Sequence, residues 1–227
     1  MQFKTISTKD VTLNLNNFIK DHYHGKYEIL DKIVFLKINK KRFLKIKKGK
    51  LLTTKEVAKL MLDYNLKRKQ ANEKKIENAW NKYEKKIISA VKKRTGINMS
   101  TRNFTCYFDP YTRLGFYGKK NTIYVSSNLN ARDGMMVISH ELFHVYYWMK
   151  IKSLGLSKKN KKKWAWDLSE VAVYFLMKEK SLKKFWPRTY INLYDNIKEV
   201  HQKTRIFWKK RFEDFILKSY SVLDNGK

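Results

Sequence analysis

Apolar residues along this chain fall into three periods. Residues 32–48 alternate apolar and basic side chains (Ile33, Phe35, Lys37, then Phe43, Lys45, Lys47) around Asn39-Lys40-Lys41, which predicts a short basic hairpin. At Thr53 the period lengthens. Thr53-Thr54-Lys55-Glu56 has the capping-box form, and Val57, Leu60, Met61, Tyr64, Ile76, Trp80, Tyr83, Ile87 and Val91 then recur at steps of three and four. The pattern predicts an amphipathic helix with a solvated Lys/Glu face, closed by Gly96. It would run for about 60 Å at 1.5 Å per residue, unless the polar stretch Lys67–Lys75 divides it.

Residues 103–127 change character again. Phe104, Tyr107 and Phe108 precede the turn signal Asp109-Pro110; Leu114, Phe116 and Tyr117 precede Gly118-Lys119-Lys120-Asn121; and Thr122-Ile123-Tyr124-Val125-Ser126-Ser127 follows. These segments predict a three-stranded antiparallel meander. After Gly134 helical spacing returns, over about 134–150, 160–180 and 193–220. Residues 11–30 carry no readable pattern, and no repeat or Ser/Gly-rich linker divides the chain. The expectation is an α+β fold: a basic N-terminal extension over 1–52, a core over 53–186, and a C-terminal helical segment over 187–227 packed on it.

Composition narrows the class. The chain has 227 residues, 43% of them apolar and 15% aromatic, so a disordered basic tail is excluded. A single cysteine, Cys106, excludes an intramolecular disulfide framework and a thiolate-rich metal site; on a predicted strand it reads as core. No run of eighteen apolar residues is present to cross a membrane. The opening MQFKTISTKD lacks an apolar signal stretch, and the expected location is cytoplasmic.

A net charge of +31 favours polyanion partners and salt-sensitive binding. Only 9 of the 51 basic residues are Arg, however, and Arg is the residue that reads bases and phosphates bidentately. The Lys residues are spread over nearly every segment, a pattern that A/T-rich codon usage would also produce.

The chemistry concentrates in His140-Glu141-Leu142-Phe143-His144, an HExxH sequence. On a helix the two His, four apart, share one face and can hold one metal ion, while Glu141 can reach a water bound to it. Chance matches expected from this composition number about 0.005. Val137, Ile138, Ser139, Val145 and Tyr146 give the motif an uncharged sheath, and an unpaired carboxylate there would be costly. The bland alternative is a buried helix with two hydrogen-bonded core histidines.

A catalytic zinc needs a third protein ligand. No third His follows at the HExxHxxGxxH spacing, and His201 is too distant for it. Asp167 and Glu170 lie on the next predicted helix. Glu170 is preferred, because it sits within an apolar stretch far enough from His144 for a loop and an antiparallel return. Asp167-Leu168-Ser169-Glu170 equally fits a capping box, and Asp167 is the main rival ligand.

The Val-Ile-Ser-His-Glu-Leu-Phe-His-Val stretch, followed by Ser-Glu on the next helix, resembles the gluzincin class of zinc metallopeptidases, above all its small single-domain members, the minigluzincins. Their order of long helix, three-stranded sheet, HExxH helix and glutamate helix matches residues 54–180. The resemblance implies a zincin-like fold and a Zn2+ ion held by His140, His144 and Glu170. It also implies Glu141 as general base and hydrolysis of a peptide or protein substrate. This chain lacks the Asn before the glutamate and the Asp four residues after it that larger members carry; Tyr174 stands at the latter place.

An oxyanion donor is expected among His201, Tyr190, Tyr194 and Tyr174, with His201 alone on a Lys-rich segment reading as surface. His22 and His24 share a face if extended, but have no evident partner. Trp148, Trp164, Trp166, Trp186 and Trp208 read as core. The competing function is a basic nucleic-acid-binding protein whose zinc site is structural or degenerate.

Overall fold

A computed structural model describes residues 1–6, 53, 55, 66–109, 114–118, 121–156, 163–186 and 195–225. The hairpin expected over 32–48, the His22/His24 pair, the start of the long helix, Tyr190 and Tyr194 lie outside the described residues. The architecture is α+β and mostly helical, with a small mixed sheet.

The long helix, α1, is described over Leu66–Thr95 and runs unbroken through the polar stretch. Ile76, Trp80, Ile87 and Val91 form its buried face, at the spacing the sequence pattern predicts. Gly96 ends it with φ 72°, in the left-handed region, its N–H bonding the Lys92 carbonyl at 2.8 Å.

The sheet contains β1 (Gln2–Thr5), β2 (Thr105–Asp109), β3 (Gly115–Tyr117) and β4 (Thr122–Ser126), in the order β1-β2-β4-β3. The predicted antiparallel meander is corrected in one respect. β3 pairs antiparallel with β4, but β2 pairs parallel with β4, because the chain passes beyond β4 before turning back. Alternation sets which face of a strand is buried and is blind to which neighbour it pairs with. Cys106 and Phe108 oppose Ile123 and Val125 on the core face, whereas Tyr107 and Phe116 stack on Tyr124 on the other.

The sequence reading assigns residues 2–5 to the N-terminal extension; they form β1, parallel to β2, with Phe3 stacked on Phe108 at 5.7 Å. Cys106 is fully buried, and burial pushes its thiol far above the ordinary range, as suits a core residue.

Helix α2 (Ala131–Ser153) starts at Asn130, whose side-chain oxygen accepts from the N–H groups of Arg132 and Asp133 at 3.0 and 2.9 Å. It lies between α1 and the sheet as the most buried element. Gly115 of β3 comes so close that a Cβ there would sit 2.4 Å from Val137 and 2.5 Å from the Tyr124 carbonyl. Only glycine lets this edge strand lie down on α2. Helix α3 (Lys163–Lys178) packs on α2, followed by α4 (Lys180–Lys183), α5 (Lys198–Thr204) and α6 (Phe212–Asn225). No described helix is long and apolar enough to cross a membrane.

The helix predicted over 193–220 is interrupted, and the reason is Arg94. Its guanidinium donates to the Trp208 carbonyl, to the Lys210 carbonyl at 2.9 Å and to Glu179 at 3.0 Å, and lies 4.3 Å above the Trp208 ring. In a continuous helix those two carbonyls would accept from residues four further on. Here they bond a cation from α1, and the chain turns into α6.

Arg94→Ala should therefore destabilise the fold by about 2–3 kcal/mol, since partly buried bonds to a charged group are lost and Glu179 loses its cation, keeping the Trp208 indole N–H. Arg94→Lys should recover less than half, because an ammonium cannot span both carbonyls. Urea unfolding of the three proteins measures this; parent-like stability of the Ala variant would contradict it.

Candidate metal centre

The centre is built from α2 and α3. His140 and His144, one turn apart, project from the face of α2 that meets α3. Because α3 begins at Lys163, Asp167 lies inside the helix and is no N-cap, so the capping-box reading of Asp167 to Glu170 does not apply. Glu170 faces the two imidazoles. The His140 and His144 Nε2 atoms are 3.1 Å apart; Glu170 Oε1 is 3.4 Å from His144 Nε2, and Oε2 is 3.7 Å from His140 Nε2. One ligand atom from each residue falls in a group spanning at most 4.8 Å, and Asp167 is not a member.

Ligand atoms about 2.0–2.1 Å from a tetrahedral ion are about 3.3 Å from each other, so the spacing fits a single metal ion. His144 is 3% exposed in its side chain and His140 31%, which closes the cluster on one side and opens it on the other.

Local chemistry favours the metal-binding forms. His144 Nδ1 lies 2.7 Å from the fully buried Ser169 hydroxyl. Donation from Nδ1–H to that oxygen leaves the Nε2 lone pair aimed into the cluster. Burial, and then the neighbouring His144, lower the His140 imidazole to about 4, so it is neutral at physiological pH. Burial raises the Glu170 carboxyl, but its bond to His144 and the electrostatic influence of the two imidazoles outweigh that and hold it below its usual value. Two imidazoles and one carboxylate suit a borderline divalent cation.

Glu141 lies beside this cluster and outside it. It is buried, and burial pushes its carboxyl up to about 7, against the opposing influence of His144 and of a bond from the Tyr117 backbone N–H and with the Glu170 charge adding. A carboxyl poised there can exchange a proton near neutral pH.

Sequence reasoning missed three side chains here. Ser169 orients His144. Tyr117, at the end of β3, packs its ring 5.9 Å from that of His144. Trp166, expected in the core, is 48% exposed and stacks on His144 at 5.7 Å with a 7° interplanar angle. Its place one turn before Glu170, on the same helix face, was the available signal. Trp148 stacks on Trp166, and beyond Tyr117 and Trp148 a cleft of about 320 Å³ reaches Phe104, Met149 and Lys152.

Of the oxyanion candidates, Tyr174 accepts from Lys178 at 2.6 Å, and its ring meets that of His201 at 5.5 Å. His201 also stacks on Phe175 at 5.2 Å, half-buried rather than on the surface as expected. Comparison with known proteins finds no matching family model, no similar curated protein and no similar solved structure.

Ser169→Ala should weaken metal binding about 10–100-fold while leaving the fold intact, as loss of an outer bond to a ligand His does. Competition with a chromophoric chelator measures this, and unchanged affinity would contradict the orienting role.

A second expectation concerns the metal-free protein. With its carboxyl raised from 4.5 to about 7, folded Glu141 retains a proton that the unfolded chain has released in that window, so stability falls as pH rises through it. Glu141→Gln should stabilise the chelator-treated protein at pH 8 by on the order of 3 kcal/mol and hardly at all at pH 4. Denaturant unfolding at both values tests this; an equal gain at the two would refute the assignment.

Proposed function

We propose that this chain is a zinc-dependent endopeptidase of the gluzincin type, with His140, His144 and Glu170 as metal ligands and Glu141 as general base. The observation that carries the reading is a buried carboxyl next to, yet outside, a His/His/Glu cluster of metal-ligand spacing. A structural ion needs no such neighbour; a hydrolytic one does. Bound at this cluster, zinc would polarise the scissile carbonyl and acidify a water molecule.

The chain's own residues do the rest. Glu141 takes the proton from the attacking water as the O–C bond forms, and returns it to the amide nitrogen as the C–N bond breaks. The Tyr117 N–H steadies the Glu141 carboxylate, and Ser169 fixes the His144 tautomer. The side of β3 away from β4 offers backbone groups along which an extended peptide can pair. Tyr174, one turn beyond Glu170, and His201, whose ring meets that of Tyr174, are the described candidates for an oxyanion donor.

The test separates binding from chemistry. Parent protein should take up about one zinc per chain and cleave an unstructured substrate such as casein in a chelator-sensitive way. Glu141→Gln should keep the zinc and lose at least about 100-fold in activity. Glu170→Ala should weaken zinc affinity far more than Asp167→Ala. Parent-level cleavage by the Gln variant, or equal zinc affinity in parent and Glu170→Ala, would overturn the proposal.

A further inference from the structure

The exposed face of α1 is the feature that the metal centre leaves unexplained. Its solvent-facing positions recur in register at 74/75, 78, 81/82, 85/86, 89 and 92/93. All are Lys except Asn78, Asn81 and Ser89, and none is acidic or apolar. Glu77 and Glu84, the helix's acids in the span from Lys74 to Lys93, lie at its half-buried flanks, Glu77 pairing with Lys74 at 3.1 Å and Glu84 accepting from Thr101. Lys75, Lys82, Lys85, Lys86, Lys92 and Lys93 thus form a straight cationic stripe, about 27 Å from Lys75 to Lys93 at 1.5 Å per residue.

The C-terminal helices are charged differently. Three of their exposed cations have a carboxylate one turn away: Lys198 with Asp195 at 2.6 Å, Lys203 with Glu199 at 2.7 Å, and Arg211 with Asp214 at 3.1 Å. A Lys-rich composition alone would not clear acids from one helix face and leave them on another. The helix dipole accounts for cations in the last turn, Lys92 and Lys93, but not for the others.

From this we infer that the exposed face of α1 is a docking surface for the phosphate backbone of double-stranded nucleic acid, bound without sequence preference. The stripe is rigid and linear, and over its length a duplex presents about sixteen phosphates at 1.7 Å per charge. Ammonium groups suit phosphate as point charges and do not read base edges. No aromatic side chain on this face could stack an unpaired base, and no apolar one could enter a bilayer. The inference does not depend on the peptidase reading.

The 227-residue chain is titrated onto a fluorescein-labelled 20-base-pair DNA duplex at several salt concentrations. One variant replaces Lys75, Lys82, Lys86 and Lys93 with Gln; a charge-matched control replaces the exposed Lys4, Lys180, Lys209 and Lys218; and a third carries Arg at the four stripe positions. Parent binding should fall with salt on a log–log slope of about −5, and the stripe variant should lose about three to four units of slope and at least 100-fold in affinity at 0.1 M salt. The control should stay within a few-fold of the parent, and the Arg variant should retain the parent slope, which shows that the charge and not the fold was lost. An equal loss in the control would mean that total charge is responsible and would overturn the site. So would tighter stripe-dependent binding to phosphatidylserine vesicles or polyglutamate than to the duplex, or no duplex binding at 50 mM salt. Zinc content, measured on the same preparations, reports on the metal centre separately.

Discussion

Placing two imidazoles and two carboxyls against the most buried helix of the protein is the constraint from which the remaining architecture follows. Each of those polar groups loses water, and each must recover an equivalent partner or change its protonation. His144 recovers Ser169 and Glu170, and Glu170 recovers both imidazoles. Glu141 recovers the Tyr117 N–H and the nearby His144 ring, which do not offset its burial, and is driven toward its neutral form. The partners come from α3 on one side and β3 on the other, so α2 cannot be satisfied unless both elements lie close to it. Gly115 is the point at which that closeness is sterically secured.

A second node holds the outer elements. Arg94 collects Glu179 and the carbonyls of Trp208 and Lys210, joining the end of α1 to the end of α3 and to the turn before α6. Trp208 inserts between Phe175, Phe212 and Phe215, and its indole N–H donates to Glu179 at 3.1 Å. The C-terminal helices are thereby tied to the back of α3, the helix that carries Glu170. Hydrophobic packing supplies the bulk of that attachment, while the guanidinium fixes its angle.

Much of this was legible in the sequence because period and motif are local signals. The helical face of Ile76, Trp80, Ile87 and Val91, the stop at Gly96, and the shared face of His140 and His144 all follow from spacing along single helices, while Glu170 stood out as a carboxylate in an apolar stretch of the next helix. What was illegible is relational. The parallel pairing of β2 with β4 depends on the path of the chain between them, and β1 on a partner a hundred positions away. The break before α6 depends on Arg94, which no pattern within 193–220 reveals. Trp166 looked like core because its composition is apolar. Its exposure reflects where α3 meets α2, and only the helical offset from Glu170 hinted at it.

The pairing of β1 also bears on how the molecule assembles. Gln2 meets Thr105, so closing that contact encloses roughly one hundred residues, at a cost of about 4 kcal/mol in chain entropy if the loop is otherwise unstructured. The β3–β4 hairpin and the α2–α3 pair need only short loops and are cheaper to form by comparison. Strand β1 therefore docks late, onto an edge that the rest of the sheet has already prepared. Until it does, the outer edge of β2 is an unpaired strand, and that interval is when two folding chains are most able to join edge to edge.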